Sequence, residues 1–286
     1  MSAVESVTLP VPAGRSWSSR FLRSELRLIF GRRRNQLALL VLAGPPLLIS
    51  IAVKTSLSRP GREAPDFFGS ITQNGLFVAL AALTIEMGLF LPLAISLVAG
   101  DSVAGEANTG TLRYLLTVPV GRIRLLAVKF AGVLVFSFAA AFVVTVVGMV
   151  MGLILFGGGN LTTLSGTELG FGEGLLRVVA ATAYLGVCLT ALGAVGIFLS
   201  TLTEQPIAAM LATIVFSGAS FVLDSIPQVS FLHPYLIVHN WTSFGDLLRT
   251  PVAWSGIEHG LYSAVAYVAV FLLAAWARFS TKDVTS

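Results

Sequence analysis

The chain has 286 residues, of which 55% are hydrophobic and 11% are charged, and its mean hydropathy is +0.87. So much apolar surface cannot be buried in the core of a water-soluble protein of this size, and the composition indicates an integral membrane protein. The formal net charge is +4, but the basic residues cluster beside apolar stretches, which indicates a membrane orientation signal and argues against nucleic-acid binding.

The N-terminal region divides into a tail and an amphipathic segment. Residues 1–15 are predicted to form a disordered tail, and from residue 16 to 34 the apolar residues recur at helical spacing. The apolar face carries Trp17, Phe21, Leu22, Leu28 and Ile29, and the opposite face carries Arg20, Arg23 and Arg27. We expect an interfacial helix on the inner leaflet, with the arginines at 32–34 marking the turn into the bilayer. A helix packed on another domain is the alternative.

Six apolar stretches within residues 35–280 are long enough to cross a membrane, which requires about 20 helical residues. They cover approximately residues 37–53, 76–99, 130–156, 178–202, 206–223 and 260–277. We therefore predict an all-α membrane protein with six transmembrane helices, followed by a short cytosolic tail at 281–286.

Lysine and arginine residues set the expected orientation. Seven of them precede the first span, four lie in the loop between the second and third spans, and two follow the last span. By the positive-inside rule, these segments and both termini are cytoplasmic. Six spans return the chain to the side on which it starts, so the charges and the number of spans agree.

Prolines and glycines predict local features of the spans. Pro45 and Pro46 interrupt the first span and Pro92 the second, and each removes a backbone donor, so we expect a kink or break at both places. On the third span, Gly148 and Gly152 form a Gly-x-x-x-Gly pattern, which favours close packing against another helix.

The last external loop, residues 225–259, is unusually apolar and aromatic, and we expect it to enter the outer leaflet as short re-entrant helices. Its histidines, His233, His239 and His259, fit no compact metal-binding motif, and no carboxylate accompanies the first pair closely in the chain. The single cysteine, Cys188, lies in an apolar run and is expected to be a packing residue. We therefore predict no metal site.

The loop between the second and third spans carries the polar residues that point most clearly to function. The second helix can continue into the cytosol through Asp101 and Glu106, and the following Asn-Thr-Gly is expected to end it. Thr109 can cap a new short helix over residues 111–118, which Pro119 would end. One face of that helix shows Leu112, Leu115 and Leu116, with Arg113 beside them. These leucines have no lipid to cover, so we expect them to dock on another protein.

These residues resemble a known family. The order is Asp101, Gly105-Glu106, Gly110-Thr111-Leu112, Leu115-Leu116, Pro119, Arg122 and Lys129. It is similar to the signature loop of the ABC-2 type permeases, the membrane subunits of ATP-binding-cassette exporters. Within that family, the chain resembles the bacterial half-size branch that includes the nitrous-oxide-reductase maturation permeases. The remainder of the chain is similar to the family only in the order of its elements, which are an interfacial N-terminal helix, six spans and a long last external loop.

The resemblance implies a function and its partners. In that family the loop forms a coupling helix seated in a groove of the ATPase, and residues 200–205 give a smaller contact. The implied coupling residues are Asp101, Glu106, Gly110, Thr111, Leu112, Arg113, Leu115, Leu116 and Pro119. The implied partners are two copies of an ABC ATPase, which bind ATP and magnesium, and a second permease copy, identical or paralogous, in the bacterial cytoplasmic membrane.

The chain itself is not expected to be an enzyme or to bind a cofactor. The sequence contains no Gly-x-x-x-x-Gly-Lys-Ser/Thr loop to hold nucleotide phosphates, so the energy for transport must come from another polypeptide. A permease with these properties is the preferred interpretation of the sequence.

Glu86 supports two alternative functions. It is an acidic residue near the middle of a span, where a charge is costly, so it is expected to face a protein interior or a cavity. It could act directly in the transport pathway, or it could hydrogen-bond two helices together. An intramembrane enzyme would need Glu86 and the histidines to converge, whereas a proton-driven secondary transporter would need Glu86 alone.

Overall fold

The computed structural model describes residues 19–57, 74–110, 122–163 and 165–281 of the chain, and this part is mostly helical. Its α-helices are α1 (Ser19–Gly31), α2 (Arg33–Leu42), α3 (Gly44–Leu57), α4 (Leu76–Glu86), α5 (Phe90–Asn108), α6 (Arg122–Phe156), α7 (Phe171–Leu202), α8 (Pro206–Asp224) and α9 (Trp254–Thr281). Two short strands, β1 (Leu161–Thr162) and β2 (Glu168–Leu169), pair antiparallel between α6 and α7. The predicted tail at 1–15 lies outside the described residues, and so does the predicted tail at 281–286 except Thr281, which ends α9.

Six helical segments are long and apolar enough to cross a membrane, as the sequence predicted. They run over Arg33–Thr55, Phe90–Asn108, Ile123–Phe156, Phe171–Leu202, Pro206–Asp224 and Trp254–Phe279. The third and fourth are longer than the apolar stretches that predicted them, because helical hydrogen bonding continues beyond the hydrocarbon region. The protein is therefore a multi-pass helical membrane protein.

The second predicted span, 76–99, consists of two helices, and the break expected at Pro92 is confirmed. The chain breaks at residues 87–89, between α4 and α5, where the Leu89 backbone has φ −146° and ψ −55°. Pro92 explains the position, because in an uninterrupted helix its ring would clash with the carbonyl of residue 88. With the break, Pro92 lies in the first turn of α5, where it disrupts no helical hydrogen bond. Glu86 is the last residue of α4.

The first span is also interrupted, at the predicted prolines. Helix α2 ends at Leu42 and α3 begins at Gly44, so Pro45 and Pro46 occupy the first turn of α3, where missing backbone donors cost little. Helix α1 occupies most of the predicted 16–34 segment, and the extended Arg32 separates it from α2. The helix is thus interrupted at Arg32, within the 32–34 stretch where the turn into the bilayer is predicted.

Helix α7 forms the centre of the bundle. Buried residues make up 78% of its most apolar 18-residue window, compared with 17% for α9 and 22% for α8. The outer helices instead expose large apolar side chains such as Val215 and Leu273. In water such surfaces would be unfavourable, and in a bilayer they face lipid tails, so the burial pattern agrees with a membrane-embedded bundle.

Glycines bring α6 and α4 into backbone contact. A methyl group at Gly152 would overlap the carbonyl of Gly75, and one at Gly148 would lie 2.8 Å from Cα of Ala79. The Gly-x-x-x-Gly prediction is therefore confirmed, and α4 is the partner helix.

The loop between α8 and α9 folds into two 3₁₀ segments, Pro227–Tyr235 and Trp241–Leu248. Trp241 is 1% exposed and packs edge-to-face on Phe221 of α8, with 5.6 Å between ring centroids. The hydroxyl of Tyr184 donates to the Asn240 carbonyl at 2.6 Å, and that of Tyr267 donates to the Tyr235 carbonyl at 2.7 Å. The loop is thus held in place by three different helices.

Candidate functional site: a charged network at the base of the 111–121 segment

Two of the predicted coupling residues lie on the last turns of α5, after the apolar part of this helix. Asp101 and Glu106 lie on α5, which ends at Asn108, and Gly110 follows with φ +70°, a left-handed conformation that glycine adopts readily. The predicted helix stop is confirmed. The remaining predicted residues lie outside the described part of the chain: Thr111, Leu112, Arg113, Leu115, Leu116 and Pro119.

Thr109 takes part in ending α5. It is the C-cap residue, and its hydroxyl donates to the carbonyl of Gly105 at 3.0 Å. We had expected its side chain to begin a new helix as N-cap, but that helix would lie in the 111–121 segment, outside the described residues.

Asp101 joins α5 to the N-terminal helices. Its carboxylate forms ion pairs with Arg32 and with Arg34, the latter with a nitrogen–oxygen distance of 3.1 Å. The Asp101 side chain is only 12% exposed, whereas the two arginine side chains are nearly half exposed. The arginines that we interpreted as an orientation signal therefore also bind the base of the predicted coupling loop.

Lys129 forms the buried centre of the network. It lies near the start of α6 and is 2% exposed, and its Nζ donates to Oε1 of Glu106 at 2.6 Å. Oε1 of Glu25, on α1, lies 3.6 Å from the same nitrogen. A buried ammonium group is stable only when it is paired, so Glu25 and Glu106 fix the position of α6 relative to α1 and α5.

Helix α1 contributes Glu25 to the network because one face of this helix packs on α6. Glu25 and Ile29 are buried, and a methyl group at Gly132 of α6 would lie 2.6 Å from Cδ1 of Ile29. Arg23 and Arg27 are exposed on the other side. The predicted amphipathic pattern is present in part, because Ile29 is buried and Leu28 of the predicted apolar face is 54% exposed. The buried face rests on this chain's own third span.

A small cavity with both charged and apolar walls lies among these groups. Its volume is about 30 Å³, and its walls include Glu25, Asp101 and Lys129, so it can hold about one water molecule. Asn35, which is 2% exposed, borders it and donates from Nδ2 to the Ile29 carbonyl at 2.8 Å. This bond satisfies a carbonyl at the end of α1 and fixes the turn into α2.

Ser200 inserts into the backbone of α5 beside Asp101. Its hydroxyl donates to the Gly100 carbonyl at 2.7 Å and accepts from the N–H of Ala104 at 2.8 Å, so it bridges a helical hydrogen bond. Side chains inserted in this way mark places where helices bend. The contact joins the C-terminal half of α5 to the end of α7, within the 200–205 region that the resemblance singled out.

The network brings together some predicted site residues and leaves out another. Asp101 and Glu106 share it with Lys129, whereas Glu86 lies apart, fully buried, and neither of its carboxylate oxygens has a hydrogen-bond partner among the described residues. Sequence reasoning missed Glu25 and Asn35, and it included Ser200 only as the first residue of the 200–205 contact implied by the resemblance. Glu25 left a visible signal, because a glutamate midway between Phe21 and Ile29 lies on the apolar face of α1.

The family comparison covers most of this site. A model of a family described as "Protein of unknown function (DUF2705)" matches residues 64–285. The chain belongs to this family. The matched part of this DUF2705 protein includes Asp101, Glu106, Lys129 and the 111–121 segment, whereas Glu25 and the two arginines precede it. A comparison with curated proteins found no match.

Proposed function

We propose that the protein is the permease subunit of an ATP-binding-cassette exporter. Two six-helix subunits form the transmembrane pathway, and a separate pair of ATPase subunits binds ATP and magnesium and grips residues 111–118 on the cytoplasmic side. The resemblance of the loop suggests the class. The charged network carries the proposal, because it anchors both ends of the segment that the ATPase would move.

The network gives a physical route for that motion. Asp101 and Glu106 precede the 111–121 segment on α5, and Lys129 follows it on α6. All three are tied to the N-terminal helices through Arg32, Arg34 and Glu25. A displacement of the segment would therefore move α1, α5 and α6 together, and a two-state rocking of the bundle needs such a rigid connection.

The same proposal assigns the two sides of the membrane. The termini and the 109–121 turn are cytoplasmic, and the 225–253 loop is external. Three aromatic side chains at this external end are more than half exposed: Phe231, Tyr235 and Trp254. Aromatic residues favour the membrane interface, which supports insertion of the loop into the outer leaflet.

The docking of residues 111–118 can be tested with a double substitution. We expect Leu112→Asp with Leu115→Asp to abolish stimulation of ATP hydrolysis by the permease, because two buried charges would have to enter an apolar contact. The measurement is the rate of ATP hydrolysis by the proposed partner ATPase, reconstituted in nanodiscs with each permease variant.

The matched control is Phe231→Asp, the same kind of change in an exposed residue of the loop assigned to the other side. It should stimulate the ATPase as the unsubstituted chain does. Unchanged stimulation by the double variant would refute the docking of this segment.

Glu86 favours a second candidate, a proton-coupled transporter. Its carboxylate is fully buried without a hydrogen-bond partner among the described residues, at the C-terminal end of α4 and beside a break in the span. Broken helices with buried ionisable groups are typical of ion sites in secondary transporters. The enzyme alternative is not supported, because no histidine of the described residues hydrogen-bonds Glu86, and His233 and His239 bond instead to Ile226 and Asp224.

Glu86→Gln separates the two transport mechanisms. If the ATPase drives transport, this isosteric change should leave ATPase stimulation within about twofold, because a neutral amide occupies the same space. Vesicle acidification assays with the chain alone should show no proton uptake. Proton uptake that the glutamine variant abolishes would instead establish the secondary transporter.

A further inference from the structure

We propose that Asp224, His233 and His239 form a zinc-binding site at the end of α8 opposite the charged network. One ligand atom from each residue lies within 4.8 Å of the other two. The sequence pattern missed this cluster because no carboxylate lies close to the histidines in the chain. The fold supplies one from the end of α8. This inference does not depend on the proposed transport function.

The donor set suits zinc. Two imidazole nitrogens and one carboxylate oxygen are the ligands of many zinc centres, in which three protein ligands leave one position for water. Ligand atoms about 2.0 Å from a tetrahedral zinc ion lie about 3.3 Å from one another. Nδ1 of His239 lies 2.6 Å from Oδ1 of Asp224, and no two of the three ligand atoms are more than 4.8 Å apart. Small side-chain rotations would therefore complete the site.

The hydrogen bonds around the histidines prepare them to bind a metal. A carbonyl can only accept, so Nε2 of His233 donates its proton to the Ile226 carbonyl at 3.1 Å, which leaves the Nδ1 lone pair available. Metal-binding histidines commonly donate their second ring nitrogen in this way. At His239, zinc would take the place of the proton shared with Asp224, and the neutral imidazole would then carry its proton on Nε2, the other ring nitrogen.

Helix α8 adds an electrostatic reason for a cation. Asp224 is its last residue, and a carboxylate at a helix C-terminus meets the negative end of the helix dipole. A divalent cation bound there would offset the negative charge of the Asp224 carboxylate and the partial negative charge at the end of the helix. The side chains of Asp224 and His239 are 25% and 37% exposed, so an ion from the surrounding water can reach them.

The loop is rigid enough to hold the ligands in place. Tyr235 and Asn240, which flank the 236–239 stretch, accept hydrogen bonds from tyrosines of α9 and α7. Trp241 packs on Phe221, one turn before Asp224. Bound zinc would therefore crosslink α8 to a loop that is already positioned, with little ordering cost.

The test is zinc binding by the purified full-length chain in detergent micelles. The protein should carry a streptavidin-binding tag, because a polyhistidine tag binds zinc, and should be stripped with a chelator before titration calorimetry with zinc chloride. We expect one zinc ion per chain, and the variants His233→Asn, His239→Asn and Asp224→Asn should each weaken binding at least tenfold. Cobalt in place of zinc should give the visible bands of a tetrahedral site.

The matched control is His259→Asn, which removes the remaining histidine of the chain. His259 lies on α9, and its Nδ1 bonds to the Ser255 carbonyl at 2.6 Å. This variant should bind zinc as the unsubstituted chain does. The proposal is overturned if the unsubstituted chain takes up no zinc, or if variants at 233 and 239 that elute as folded, monodisperse protein bind it equally well.

Discussion

Replacing Lys129 with methionine is expected to destabilise the protein by about 3–5 kcal/mol, the usual cost of removing one partner from a buried ion pair. The methionine keeps the length of the side chain but removes the ammonium group that lies 2.6 Å from Glu106 and 3.6 Å from Glu25. Two carboxylates would then lie close together in a largely buried place without the cation between them. The free energy of unfolding in detergent micelles, from denaturant titration, measures the effect.

Two further variants make the interpretation specific. Arg27→Met removes a cation from the exposed face of α1 and should change the free energy of unfolding by less than about 0.5 kcal/mol. Adding Glu25→Gln and Glu106→Gln to Lys129→Met should recover most of the lost stability, because neutral amides do not repel one another. A loss below about 1 kcal/mol in the single variant would show that the network does not hold α1, α5 and α6 together.

The six spans could be predicted because a helix that crosses the hydrocarbon core must be apolar, and hydropathy measures this property of the sequence directly. The ends of the helices could not, because hydropathy reports where lipid lies and not where a helix stops. Helix α6 begins at Arg122, ahead of the apolar stretch predicted from residue 130, and carries Lys129 on the extra turns. The break in the second span was predicted from Pro92, but its extent, residues 87–89, was not, since the apolar run continues through it.

The candidate site was predictable only in part. Asp101 and Glu106 stand out in the sequence as acids just beyond an apolar span. Their partners do not, because Arg32 and Glu25 are about 70 to 80 residues away in the chain, and only the packing of α1 on α6 brings them near. Basic residues next to a span fit the orientation rule whether or not they also form ion pairs.

The zinc-site candidate shows the same limitation. His233 and His239 were visible in the sequence, but the ligand that completes the set comes from the end of the preceding helix. A spacing rule describes ligands within one local element, whereas this set depends on how the loop folds back on α8.

Gly152→Ala is expected to destabilise the protein by about 3 kcal/mol, at the upper end of the range for overpacked interiors. The added methyl group would overlap backbone atoms of Gly75, which cannot rotate aside as a side chain can. Helices α4 and α6 would have to separate, and the neighbouring contact of Gly148 with Ala79 would loosen as well. The same denaturant titration measures the loss.

Gly218→Ala is the matched control, because Gly218 lies within α8 and a methyl group there meets nothing within 4 Å. Alanine is the better helix former, so this variant should be unchanged or more stable by up to about 1 kcal/mol. Equal effects of the two substitutions would rule out a backbone contact between α4 and α6. If Gly152→Ala destabilises the protein and Gly218→Ala does not, the contact between α4 and α6 holds α4 in place. It then also holds the buried carboxylate of Glu86, which lies at the end of α4.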